Sequence, residues 1–88
     1  MSDYTITFAQ SARKELEHLS VNVIRRVFPK IENLAQNPRP SGCRKLQGFK
    51  NLWRIRIGDY RVIYQVFDDE MVVDIVAVRH RSRVYRFR

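Results

Sequence analysis

Hydrophobic positions change period twice along the 88-residue chain. Tyr4, Ile6 and Phe8 alternate with Thr5 and Thr7, a β pattern. Phe8, Ala12, Leu16 and Leu19 then recur at helical spacing and predict an amphipathic helix of about three turns. Ser20 suits the N-cap of a second helix. Val23, Val27, Ile31 and Leu34 form its apolar stripe, widened by Ile24, Phe28 and Ala35. So tight a link between the helices predicts an antiparallel helical hairpin. Pro29 conflicts with the second helix, because proline removes a hydrogen bond, and a kink or restart is expected there.

Residues 37–42, Asn-Pro-Arg-Pro-Ser-Gly, are dense in turn formers and divide helical from extended sequence. Residues 52–57 and 60–67 read as strands around a Gly58-Asp59 turn. After the acidic turn Asp68-Asp69-Glu70, residues 71–78 form a nearly continuous apolar run, as expected of a central strand covered on both faces. The predicted order is βααβββ. It is an α+β fold with a small twisted, mainly antiparallel sheet and an N-terminal helical hairpin on one face. One domain, residues 1–88, is expected at this length.

Charge is unevenly distributed along the chain. The formal net charge is +8. Residues 1–40 carry six Lys/Arg against four Asp/Glu, whereas residues 41–88 carry eleven against five. The last ten residues hold five arginines and no acid. Such clustering draws polyanions. The single cysteine, Cys43, excludes an internal disulfide, fits a reducing compartment, and reads as a bystander thiol. The N-terminal Met1-Ser2-Asp3-Tyr4 lacks a signal-peptide layout, and no apolar run approaches the roughly 20 residues that span a bilayer. A cytoplasmic protein without membrane contact is expected.

A two-residue Gly58-Asp59 loop would pair Ile57 with Tyr60, Arg56 with Arg61, Ile55 with Val62 and Trp53 with Tyr64. Trp53, Ile55, Ile57, Tyr60, Val62 and Tyr64 then share a face for the helices, and Arg54, Arg56 and Arg61 share the other. Arg56 opposite Arg61 costs up to about 1 kcal/mol, which a bound anion would justify. Simple alternation after residues 68–70 puts Val73, Ile75 and Ala77 in the core. It sends Asp74, Val76, Val78 and His80 to the arginine face. A neutral imidazole there could take a proton at pH 7. Arg81, Arg83 and Tyr85 follow, close enough to fold over that face.

These residue types suit RNA, which carries its own nucleophile, the 2′-OH. Cleavage then needs orientation, proton transfer and neutralisation of phosphorane charge. Arginine supplies the last bidentately, and Tyr85 could stack on a base or lend a phenolic proton. Carboxylates are scarce on the face and metal-ligand spacings are missing, so the reading calls for no metal and no cofactor.

Lys45-Leu46-Gln47-Gly48, the run from Leu52 to Val66, Val78-Arg79-His80-Arg81 and Val84-Tyr85 together resemble RelE-type toxins of bacterial and archaeal toxin–antitoxin pairs. The resemblance implies a ribosome-dependent endoribonuclease that cuts messenger RNA in the A site beside 16S ribosomal RNA and leaves a 2′,3′-cyclic phosphate. It also implies a neutralising RelB-like antitoxin, expected here to be acidic or amphipathic. By the same resemblance Arg61 would hold the scissile phosphate, Arg81 would assist the leaving group, and Tyr85 would stack on or orient the nucleotide. Arg54 and Arg56 stand where the best-known members carry lysines. One of those lysines is a proposed general base, a role an arginine does not take over, so His80 becomes the expected substitute and Arg56 an electrostatic participant. Arg44, Lys45, Arg54, Arg56, Arg79 and Arg83 are expected phosphate contacts. The alternative is a ParE-like poison of DNA gyrase without nuclease activity, which would not need Arg61, Arg81 and Tyr85 together.

Overall fold

A computed structural model describes residues 3–86, with side chains through Arg83. The elements run β1 (Thr5–Phe8), α1 (Gln10–Glu17), α2 (Val21–Asn33), β2 (Arg44–Lys45), β3 (Leu52–Ile57), β4 (Tyr60–Phe67), β5 (Val72–His80) and a C-terminal 3₁₀ segment, Arg81–Arg86. The sheet order is β1-β5-β4-β3-β2, with β1 parallel to β5 and the remaining pairs antiparallel. The α+β fold and its element order match the expectation, with the two-residue β2 as an addition. Among the described residues, no helix is long and apolar enough to cross a membrane.

Local chemistry explains the helical ends. Ser20 accepts a hydrogen bond from the Val23 amide at 3.3 Å, which fixes the start of α2. That cap leaves α1 eight residues, shorter than expected, and Leu19 packs from the connection instead. α2 runs through Pro29 without a break. Pro29 and Arg25 lie on the exposed side, where water can satisfy the carbonyl that proline leaves without a partner. Val27, Ile31 and Leu34 from the α2 region and Ala12 of α1 are buried against Ile55, Ile57, Val62, Tyr64, Val66, Val73, Ile75 and Val78.

β5 departs from simple alternation. Tyr64 faces Ile75 but the preceding Ile63 faces Ala77, so Val76 is an extra residue in β5, a bulge. Beyond it every side chain changes face. Val78 pairs with Val62 in the core, and His80 pairs with Tyr60 on the helix side. Ala77 moves to the outer face. There it is buried with Leu52 and Ile63, and Leu46 and Val76 pack against them. The outer face therefore holds a small apolar cluster beside its arginines.

The bulge lies where β5 changes neighbours. β1 pairs with β5 only as far as Ile75. From there α1 covers the open edge: the Ala9 amide donates to Ile75 O, Ser11 Oγ to Val76 O at 2.8 Å, and the Val78 amide to Glu15 Oε1 at 2.9 Å.

Candidate nucleic-acid interface

The β3–β4 hairpin builds the site. Its register matches the expected one, with Ile57 opposite Tyr60 and Arg56 opposite Arg61. Gly58 adopts φ +59°, which glycine tolerates at the first central position of a tight hairpin turn. A β-carbon there would lie only 2.1 Å from the Arg26 guanidinium of α2, so the turn is packed closely as well as bent.

Arg61 is buried at 7% exposure. Its Nη1 donates to the carbonyls of Gly58 and Tyr60, both at 3.0 Å, which aims the side chain back at the turn. Burial lowers the pKa of this guanidinium from its ordinary value, and the neighbouring charges of Arg56, Arg54 and Arg81 lower it further. Arginine is charged at any physiological pH nonetheless. Arg81 reaches the cluster because its backbone amide donates to Asp59 O at 2.7 Å, tying the start of the 3₁₀ segment to the hairpin tip. Arg56 and Arg81 are exposed, and the buried Nε of Arg54 has no hydrogen-bond partner. Arg44 pairs with Arg54 across β2 and β3 and joins the same face. Among the described residues, none of Arg44, Arg54, Arg56, Arg61 and Arg81 forms an ion pair with a carboxylate. Such a set is built to hold an anion.

Other expected residues lie elsewhere. His80 is not beside the guanidiniums, because the Val76 bulge turns it to the helix side, edge-on to Tyr60 with ring centroids 5.5 Å apart. Arg83 lines a cleft there with His80. Lys45 pairs with Trp53 and so belongs to the helix-side face. Arg79 pairs with Arg61, yet its Nε meets Glu15 Oε2 of α1 at 2.5 Å, which occupies it at the sheet edge. Tyr85 lies in the 3₁₀ segment, and its side chain is outside the described residues. Glu15 and Arg26 read from the sequence as ordinary polar positions on helices, and no residue pattern reveals the role of the turn carbonyls.

The fold has counterparts among known proteins. The family model described as ParE toxin of type II toxin-antitoxin system, parDE, matches residues 6–85. This chain belongs to that RelE/ParE toxin family. The mRNA interferase toxin RelE of Escherichia coli K12 is 33% identical over 86 residues, covering 93% of this chain and 90% of the relative. The RelE–RelB complex of Pyrococcus horikoshii contains a chain 31% identical to it, with a TM-score of 0.79 and coverage of 93% and 99%. The intact E. coli RelBE toxin–antitoxin complex gives 29% identity and a TM-score of 0.78 over 88% of this chain and 95% of that one. The protein is a RelE-type toxin of a type II toxin–antitoxin system. In this toxin the five arginines stand on the outer face, and the two helices cover the other.

Proposed function

We propose that this toxin is a ribosome-dependent endoribonuclease that cuts messenger RNA by attack of the 2′-OH on the adjacent phosphate. The phosphorus–O2′ bond forms as the phosphorus–O5′ bond breaks, the 2′-OH proton passes to water and the departing O5′ takes one from water, leaving a 2′,3′-cyclic phosphate and a 5′-hydroxyl. The observation that carries the reading is the gathering of Arg54, Arg56, Arg61 and Arg81 about one hairpin tip, none of them ion-paired to a carboxylate among the described residues. Arg61, fixed by two carbonyls, holds the scissile phosphate. Arg54 and Arg56 neutralise charge on the phosphorane, and Arg81 stabilises the departing oxygen. Tyr85 stacks on or orients the nucleotide, as the resemblance implies. His80 is dropped as general base, because its ring faces the helix side. No neutral base joins the guanidiniums among the described residues, so catalysis rests on alignment and charge.

The partners under this reading are A-site messenger RNA and 16S ribosomal RNA, together with a RelB-like antitoxin; the RelB complexes of the relatives support the last of these. A gyrase poison is the second reading, favoured by the ParE description of the family model. Induction in growing cells with mapping of transcript 5′ ends separates the two. Codon-phased cuts on translated messages are expected. Arrest with intact messages and gyrase-dependent DNA breaks would overturn the nuclease reading.

A further inference from the structure

On the helix side, away from the arginine cluster, a cleft of about 400 Å³ opens between α1, the end of β5 and the 3₁₀ segment. Its size lies within the range of roughly 300–1,000 Å³ usual for small-ligand sites. Leu19, Val78 and the Tyr60 ring supply apolar wall. Lys14 and Arg83 supply charge, and neither forms an ion pair with a carboxylate among the described residues. The one acid in the lining, Glu15, is already engaged: Oε1 accepts from the Val78 amide and Oε2 pairs with Arg79. The cleft thus keeps a net positive charge with its carboxylate already satisfied.

Two imidazoles line the same cleft, and their hydrogen bonds give them different states. His18 Nδ1 lies 2.7 Å from the Lys14 carbonyl, which only accepts, so Nδ1 carries the proton. Nε2 of a neutral His18 is then a lone pair. His80 Nδ1 accepts from the Ser82 amide at 3.2 Å, so its proton sits on Nε2. His80 therefore offers an Nε2–H donor, and His18 an Nε2 acceptor.

We infer that this cleft binds the phosphate of a nucleotide unit and is a second RNA contact of the toxin. Lys14, Arg83 and the His80 Nε2–H hold the phosphate, and the Tyr60 wall takes the base or ribose. The role in RNA rests on the proposed nuclease reading; the binding of a nucleotide phosphate does not.

The test follows the imidazole Hε1 resonances of His18 and His80 in the full-length toxin by NMR, titrating with 5′-UMP or with inorganic phosphate. Both resonances should shift along one saturating curve, with 5′-UMP tighter than phosphate if the Tyr60 wall contributes. Lys14→Ala and Arg83→Ala should each weaken binding about tenfold. Unshifted imidazoles at millimolar 5′-UMP, or shifts indifferent to Lys14 and Arg83, would overturn the inference. The readout is binding, so it holds or fails separately from messenger cleavage.

Discussion

At 7% exposure the Arg61 guanidinium relies on the carbonyls of Gly58 and Tyr60 in place of water. Its role in the fold therefore cannot be separated from its proposed role in phosphate binding. Arg61→Ala leaves two carbonyls without their donor, a loss of about 1–3 kcal/mol that relief of repulsion from Arg56 offsets by up to about 1 kcal/mol. We expect a net loss of about 1–2 kcal/mol by urea unfolding. Arg81 is exposed, and Arg81→Ala should change stability by less than about 0.5 kcal/mol. Both variants should cut messenger cleavage by about 10²-fold or more. A fully active Arg81→Ala toxin would remove that residue from the site. The partnering of Arg56 with Arg61 was legible in the residues, because a two-residue loop sets its own register. The burial of Arg61 was not, since it depends on carbonyls that every residue carries.

Glu15 shows what is decided at the level of elements. In the α1 sequence it is one more polar helix position, yet it closes the open edge of β5 by accepting from the Val78 amide and pairing with Arg79. Glu15→Ala should orphan the Val78 amide and cost about 1–3 kcal/mol. Hydrogen exchange at Val78 should accelerate, while Val73, inside the β1–β5 ladder, keeps its protection. Equal protection at Val78 in both proteins would mean that α1 does not seal this edge. The same substitution removes the Glu15 carboxylate from Arg79, whose backbone stands opposite Arg61. The hairpin turn is the second case. Gly58 meets Arg26, and Asp59 O receives the Arg81 amide, so α2 and the C-terminal segment converge on two residues that look from the sequence like a simple reversal.

Across the molecule, remote segments are tied together by Asp68. Its carboxylate accepts from Tyr4 Oη at 2.8 Å and pairs with Arg39 Nη2 at 2.8 Å, linking the N-terminal strand, the 37–42 loop and the β4–β5 turn. The same Arg39 guanidinium lies 5.0 Å from the Trp53 ring centroid. The bonds from Arg39 and Tyr4 hold the Asp68 carboxyl below its ordinary 3.8. A carboxyl with a depressed folded value contributes stability that is present above the unfolded value and lost as pH falls through the folded one. The melting temperature should therefore decline below about pH 4. Asp68→Asn should melt lower at pH 6 and show a shallower decline in acid. A matching acid slope in the two proteins would show that other carboxylates dominate. Trp53 takes the expected helix-side face, and it is half-buried against the core beneath Arg39.

Local chemistry was sufficient for several features. Periodicity identified the two helices and three long strands, Ser20 capped α2, and Gly58-Asp59 set Arg56 against Arg61. Each depends on residues within a few positions of one another, so each is written in the chain. The three-dimensional fold decided which face the end of β5 presents. Val76 is an ordinary strand residue, and nothing near it announces a bulge. The extra residue is accommodated where β1 gives way to α1 and where Val78 and Ala77 must both find apolar surroundings on opposite faces. That single insertion leaves Arg81 with the guanidiniums and carries His80 to the opposite side.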